Sequence, residues 1–140
     1  MEENKELISS DNKVVNFKID GEQSTQTIHT TINDPKMIFN LDNKCDYKLN
    51  DCKGQMIRVK DVLIKIIETK KDEESEFKKI SILIDDQNKS YVTASKMFTN
   101  ELLRYINMFG IESIRNGLEI KIIERSVKDS SNKALGFELV

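Results

Sequence analysis

Hydrophobic and polar residues alternate along the central and C-terminal parts of the chain, which is the pattern of half-buried β-strands. The alternation predicts strands over residues 56–69, 77–85 and 118–126. Two shorter runs, residues 90–93 and 134–140, predict further strands. The larger part of this chain is therefore expected to form a β-sheet.

The apolar positions within residues 56–69 change parity part of the way along. Ile57 and Val59 alternate in one phase, and Val62 begins the other. A β-bulge produces this shift, because its extra residue turns the following side chains to the opposite face and bends the strand. We therefore predict one long strand that bends near Asp61.

One amphipathic helix is predicted after the short strand, since apolar residues recur there at helical spacing. They form a single stripe that we expect to lie in the core: Ala94, Phe98, Leu102, Tyr105 and Phe109. Polar residues occupy the opposite side: Lys96, Asn100 and Arg104. Thr93 or Ser95 can cap the start of this helix, and Gly110 can lie just past its end.

The N-terminal third carries weaker signals. Residues 14–19 alternate before an Asp-Gly turn, the Thr-rich residues 24–32 favour extended structure, and residues 36–41 are another strand candidate. Residues 42–55 are predicted to be a loop or irregular arm. Residues 70–76 are densely charged and are predicted to be a solvated loop.

The order of these elements is long bent strand, strand, short strand, helix, strand, strand. This is the order of an OB-fold, a five-stranded barrel with a helix between its third and fourth strands. We expect a mainly β protein with one helix, in which residues 56–140 form an OB-fold-like barrel. Residues 13–55 would be an N-terminal extension that can add strands, and residues 1–12 a flexible acidic N-terminus. An open α+β sheet with the same elements is the alternative.

Composition narrows the functional classes. The chain has 140 residues, of which 38% are hydrophobic and 33% charged, and its net charge is −2. These values fit one compact core and exclude a globally basic nucleic-acid binder, but they leave room for a local basic face. Residues 1–12 lack the apolar stretch of a signal peptide, and no apolar run approaches the ~20 residues of a membrane span. We expect a cytoplasmic protein without a membrane segment.

Signals for catalysis are weak. His29 is the only histidine, so a Ser-His-Asp or Cys-His arrangement has little support. The chain contains no phosphate-binding glycine loop. Cys45 and Cys52, separated by six residues, fall short of the four ligands of a structural zinc site and are expected to be free thiols. We therefore expect no enzyme activity, no metal and no cofactor.

Nucleic-acid binding has better support. Residues 42–71 contain eight basic and five acidic residues, a local excess of three positive charges in an acidic chain. Strand alternation predicts Arg58 and Lys60 on the outer face of the first barrel strand, Lys79 and Ser81 on the second, and Tyr91 on the third. Cations that follow a phosphate backbone and aromatic faces that stack bases are what a single-strand binder needs. The candidate nucleic-acid-binding residues are Tyr47, Lys48, Arg58, Lys60, Lys79, Lys89 and Tyr91.

Several short segments share their order and spacing with one family. They are IFN at 38–40, YKL at 47–49, DCKG at 51–54, SYVTASKMF at 90–98 and KDSSNK at 128–133. In these segments the chain from residue 37 onward resembles the single-stranded DNA-binding proteins of protein-primed bacteriophages. The resemblance covers about 100 residues of the chain.

The resemblance implies an OB-like fold without catalysis or cofactor. It implies coating of displaced single strands during replication of a phage or mobile element, alongside other replication proteins. Tyr47 and Tyr91 are the aromatic residues that best match the family. This chain departs from the family in its longer, acidic N-terminal region and its lack of tryptophan, so electrostatics would weigh more than stacking.

An alternative is an OB-like protein–protein interaction module that contacts a polymerase, a helicase or a host protein. Its contact surfaces would be the acidic residues 72–76 and the acidic N-terminus. The sequence leaves open whether the chain forms a homo-oligomer and whether it prefers DNA or RNA.

Overall fold

The computed structural model describes residues 22–126 and 133–140 of the chain. In this part the strands are β1 (Glu22–Thr30), β2 (Tyr47–Lys48), β3 (Met56–Lys71), β4 (Glu74–Asp85), β5 (Ser90–Thr93), β6 (Leu118–Ser126) and β7 (Lys133–Leu139). The helices are α1 (Pro35–Asn43), α2 (Lys96–Phe109) and α3 (Glu112–Arg115), and a 3-10 turn spans Leu49–Cys52. The strand predicted over residues 14–19 and the flexible terminus predicted over residues 1–12 lie outside the described residues.

The described strands form one curled, open sheet in the order β2-β5-β4-β3-β6-β7, with β1 also paired to β3. β3 is long enough to hold two neighbours on one edge, since β6 pairs with Met56–Val59 and β1 with Leu63–Lys70. The expectation of a mainly β, barrel-like protein is therefore confirmed. The closed five-stranded barrel is wrong, because β5 and β7 do not pair with each other.

Side chains occupy the backbone groups through which β7 would close the barrel. Phe137 N donates to Glu101 Oε1 at 3.2 Å, and Phe137 O accepts from Arg125 Nη2 at 3.0 Å. The carbonyl of Leu135 accepts a hydrogen bond from Ser95 Oγ at 3.4 Å. Because these backbone groups are already satisfied, β7 pairs with no described strand other than β6. The edge of β5 pairs instead with β2, in parallel orientation.

The predicted bend in the first barrel strand is confirmed. The register between β3 and β4 shifts between Val59 and Asp61, which are opposite Asp85 and Ile84. Val59 and Val62, on the two sides of the shift, are both fully buried in the main core. The bulge therefore keeps the apolar residues of both halves of β3 directed into one cluster.

The sheet is covered on both faces. Leu83 belongs to the main core under α2, whereas Ile82 belongs to a second cluster under α1. Ser81, predicted to point outward, is fully buried, and its hydroxyl lies 2.5 Å from that of Thr99 on α2. The prediction for Ser81 is wrong because both faces of β4 are buried here. Alternation along this strand therefore does not distinguish a core face from a solvent face.

Residues 36–41, predicted as a strand, form most of helix α1. The side chain of Asp34 accepts a hydrogen bond from Lys36 N at 3.0 Å, and Pro35 occupies the first turn. Both residues favour helix starts, and this signal outweighs the short apolar run that suggested a strand. Lys65, which is 6% exposed, forms an ion pair with Asp42 that joins α1 to the sheet.

Other N-terminal and hairpin predictions have mixed outcomes. The extended structure predicted over residues 24–32 is confirmed for β1. The arm predicted over residues 42–55 contains β2 and the 3-10 turn. The loop predicted over residues 70–76 is wrong, because β3 and β4 continue into it and leave a tight turn at Asp72, whose φ is 61°. Cross-strand hydrogen bonds thus extend β structure through a densely charged segment.

Helix α2 follows the prediction except at the two ends of the apolar stripe, since Ala94 lies before the helix and is exposed. Ser95 caps the helix by accepting from Phe98 N at 3.2 Å, and Gly110 with φ 86° ends it. Phe98 is fully buried, whereas Phe109 is 54% exposed. The core prediction for Phe109 is therefore wrong. At the C-terminal end of α2 the ring contacts Tyr105, with ring centroids 4.7 Å apart.

We expect Gly136→Ala to destabilise the protein by about 1–3 kcal/mol, the usual cost of overpacking. A Cβ at this position would lie 2.8 Å from Arg125 Nε and 2.9 Å from Arg125 Cγ, so the side chain that satisfies the β7 edge would have to move. Urea denaturation measures the change. Ser126→Ala, at an exposed site on the same pair of strands, is the control and should lie within about 0.5 kcal/mol of the unmodified chain. If Gly136→Ala were as stable as the unmodified chain, the close packing of Arg125 on Gly136 would not be needed to satisfy the edge of β7.

Candidate nucleic-acid interface

Two tyrosines stack where β2 joins the edge of β5. Tyr47 and Tyr91 are direct partners in the parallel ladder, and their ring centroids lie 5.3 Å apart with an interplanar angle of 26°. Tyr47 is 44% exposed, whereas Tyr91 is 9% exposed. The ring of Tyr47 is therefore accessible to solvent on one face, and the buried ring of Tyr91 packs against its other face.

The prediction that Tyr91 points outward is wrong. Its ring belongs to the main core, and its hydroxyl donates to Asp85 Oδ2 at 2.8 Å. The neighbouring Val92, predicted to point inward, packs in the second cluster under α1. Burial, followed by the hydrogen bond and charge of Asp85, raises the pKa of the Tyr91 phenol. Tyr91 therefore stays neutral and supports the ring of Tyr47 from below.

A buried aspartate organises the turn between β4 and β5. Asp85 Oδ1 accepts hydrogen bonds from the backbone N–H groups of Gln87 and Lys89, both at 2.9 Å. Burial of Asp85 favours its neutral form, but these bonds and that of Tyr91 outweigh this effect and hold the pKa of the carboxyl below its ordinary value. The ionised carboxylate thus fixes Tyr91 and the turn relative to each other.

The same turn contacts two predicted cations, one of which lies close to Tyr47. Lys89 Nζ lies 5.9 Å from the centroid of the Tyr47 ring, within cation–π range. Lys60 Nζ donates to Asn88 Oδ1, and Asp86 N donates to the carbonyl of Arg58 at 3.1 Å. The turn therefore places Lys89 beside the exposed ring and joins it to the start of β3.

The short strand β2 is attached to β5 by a pair of polar residues that sequence reasoning missed. Asp46 N donates to Ser90 Oγ, and Ser90 N donates to Asp46 Oδ2, both at 2.9 Å. These reciprocal bonds sit directly before the Tyr47–Tyr91 pair. Asp46 and Ser90 are ordinary loop residues in sequence, so no local signal marks them as partners across 44 positions.

The predicted binding residues do not form one face. Arg58 is exposed between two buried neighbours and points outward, as predicted. Lys60 is partly buried and is the extra residue of the β3 bulge, so alternation does not define the face to which it projects. Lys48 is exposed but follows Tyr47 on the strand, so it projects to the opposite side. Lys79 belongs to the face of β4 that α2 covers, and its Nζ lies 3.5 Å from Asn100 Oδ1. Tyr47, Tyr91, Lys60 and Lys89 gather around the turn, with Arg58 next to them.

The two cysteines are free thiols that are buried or partly buried. Burial raises the pKa of the Cys45 thiol to about 11 and also raises that of Cys52, so both free thiols are protonated at neutral pH. Within residues 22–126 and 133–140, no group of three or more His, Cys, Asp or Glu side chains is arranged to hold a metal ion. In the same part of the chain, no helix is long and apolar enough to cross a membrane.

We expect Asp85→Asn to lower stability by about 1.5–3 kcal/mol at neutral pH, the range for hydrogen bonds to a charged group. The folded-state pKa of Asp85 is depressed, so its contribution is present above the unfolded pKa of about 3.9 and is lost as pH falls through the lower folded value. Urea midpoints between about pH 5 and pH 3 should therefore fall less steeply for the variant. If the urea midpoints of the variant and of the unmodified chain fell in parallel with pH, Asp85 would not be the group responsible for the loss of stability at acidic pH.

Comparisons with protein families, with curated proteins and with solved structures found no match to this chain.

Proposed function

We propose that this chain binds single-stranded DNA without sequence preference, with Tyr47 as the residue on which a base stacks. The observation that carries this proposal is the half-exposed Tyr47 ring, supported from behind by Tyr91 and flanked by Lys89. Every base has a π-face, so stacking on one ring accepts any sequence. An aromatic face with a neighbouring cation is the minimal unit of such a site.

The support beneath Tyr47 favours this use. A tyrosine has few rotatable bonds, and the stack on Tyr91 restricts them further. The ordering cost on binding is then small, which leaves more of the stacking free energy for affinity. Preference for single strands follows, because bases in a duplex already stack on their neighbours and do not offer a free face.

Lys89, beside the ring, and Lys60, which contacts the same turn at Asn88, supply positive charge for phosphates near the stacked base. Asp85 and Asp46 lie nearby, but their carboxylates accept hydrogen bonds from the turn and from β5. Their charge is thereby partly compensated within the protein. The local charge beside Tyr47 is therefore more positive than the net charge of −2 of the whole chain suggests.

The biological role we propose is the coating of displaced strands during replication of a phage or mobile element. The sequence resemblance to single-strand binders of protein-primed bacteriophages supports this role, and the curled β-sheet is compatible with it. Partners among replication proteins belong to the same proposal.

We expect Tyr47→Ala to weaken binding to a thirty-nucleotide oligo-dT about 5- to 150-fold, since stacking contributes about 1–3 kcal/mol per base. Fluorescence anisotropy with labelled oligo-dT and the matched duplex measures this effect. Tyr47→Phe keeps the ring and should bind like the unmodified chain. Phe39→Ala removes a ring that is 67% exposed on α1, and serves as the control for general loss of aromatic surface. Equal affinity of Tyr47→Ala and the unmodified chain would reject this site.

We expect the double variant Lys60→Ala/Lys89→Ala to flatten the salt dependence of binding. Each lost phosphate contact on a single strand removes about 0.7 from the slope of log K against log salt, so the slope should change by up to about 1.4. The matched control is Lys78→Ala/Lys79→Ala, which removes two lysines of β4 outside this cluster. Equal slope changes in the two double variants would mean that the lysines act through overall charge and not through a local phosphate path.

A further inference from the structure

An open pocket lies beside the side chain of Arg58. Its volume is about 270 Å³, and it is bounded by the end of α2, the start of β6 and the C-terminus of the chain. Its lining includes Tyr105, Phe109, Leu118 and Leu139 as apolar walls, with Arg58 at the rim. Drug-sized ligands occupy roughly 300–1,000 Å³, so this pocket suits a smaller group such as a single planar ring.

One wall of the pocket is a half-exposed aromatic ring. Phe109 is 54% exposed and is held in a tilted contact with Tyr105. The hydroxyl of Tyr105 accepts a hydrogen bond from Ser113 Oγ at 3.0 Å, which fixes that ring in turn. The arrangement repeats the main feature of the Tyr47 site, an accessible ring supported by a second aromatic residue.

The charged group at the rim is Arg58. Its guanidinium lies against Gly117, where a Cβ would come within 2.6 Å of Nη2, so a side chain at position 117 would displace it. Arg58 Nη1 pairs with Glu119 Oε2 at 3.0 Å, and the side chains of both partners are about half exposed. A pair this exposed is weak and can exchange Glu119 for another anion.

A series of contacts connects this pocket to the Tyr47 site. Lys89 lies beside the Tyr47 ring, and the adjacent Asn88 accepts from Lys60. In the same turn Asp86 N donates to the carbonyl of Arg58 at 3.1 Å. The β4–β5 turn therefore contacts both the Tyr47 site and β3 at Arg58, the residue at the rim of the pocket.

We propose that this pocket is a second base-binding subsite, in which a nucleobase stacks against Phe109 and the adjoining phosphate binds Arg58 in place of Glu119. This inference rests on the proposed single-strand binding and extends it to a second, separate contact. The exposed Phe109 ring beside Arg58, whose ion pair is half-exposed, and the contact of the β4–β5 turn with Arg58 support a nucleotide as the occupant. Glu119 then acts as an internal competitor that lowers the affinity of Arg58 for phosphate.

The first test compares Phe109→Ala with Met108→Ala on two ligands, a thirty-nucleotide oligo-dT and a labelled dT trinucleotide. Met108 is the neighbouring residue, is 69% exposed and does not line the pocket, so it is a matched control. We expect Phe109→Ala to weaken binding of the long ligand at least about 5-fold, the lower end of the effect of one stacked base. The trinucleotide offers fewer bases and phosphates than the long ligand, so we expect Phe109→Ala to weaken its binding less.

The second test uses Glu119→Gln, which keeps the shape of the side chain and removes its charge. The long ligand should bind several-fold more tightly, and the salt slope should steepen by about 0.7 because Arg58 becomes available for one more phosphate. The matched control is Glu138→Gln, which removes one exposed negative charge from β7 outside the pocket lining. Circular dichroism of each variant checks that the fold is retained.

The outcomes separate the two proposals. Loss of affinity in Tyr47→Ala with unchanged affinity in Phe109→Ala would overturn the second subsite and leave the proposed function intact. Equal gains in Glu119→Gln and Glu138→Gln would reduce the role of Glu119 to general charge and overturn the competition at Arg58. Failure of the unmodified chain to bind oligo-dT at low salt would overturn both proposals.

Discussion

The ionised carboxylate of Asp85 is the interaction on which the candidate site depends. It is buried, and it holds Tyr91 and the N–H groups of the β4–β5 turn at the same time. Tyr91 in turn supports Tyr47, and the turn carries Lys89 to the edge of that ring. A charge that would be costly in the core is thus stabilised by three donors, and it fixes the geometry of an exposed aromatic residue.

A second constraint comes from the edges of the sheet. The backbone of Phe137 on β7 is bonded to Glu101 and Arg125, whereas β5 receives the two residues of β2. Both edges are satisfied without pairing to each other, so the sheet curls but does not close. The position of Tyr47 is a direct consequence, because β2 occupies the edge that a closed barrel would use for another strand.

Helix α1 determines which face of the sheet is left for charged residues. Helix α1 covers the face of β4 and β5 that Ile82 and Val92 line, and the ion pair between Lys65 and Asp42 joins it to the sheet. The broad outer face that would collect basic residues is therefore apolar and covered. Lys89 lies beside the exposed Tyr47 ring, and Lys60 contacts the same turn at Asn88. This local grouping of cations is what makes the proposed site for a polyanion compatible with an acidic protein.

The sequence by itself determined the elements whose signals are local. Alternation predicted β3 to β7, and the parity change predicted the bulge near Asp61. Apolar residues at helical spacing predicted α2, and capping preferences predicted its ends. Only the tertiary structure decided which faces are buried, because α1 and α2 cover opposite sides of β4. This reversed the expected exposure of Tyr91, which is a buried support in the folded chain. Phe109 is half-exposed for a different reason, since it is the last residue of α2. Alternation in a strand distinguishes two faces, but only packing against other elements determines which face meets water.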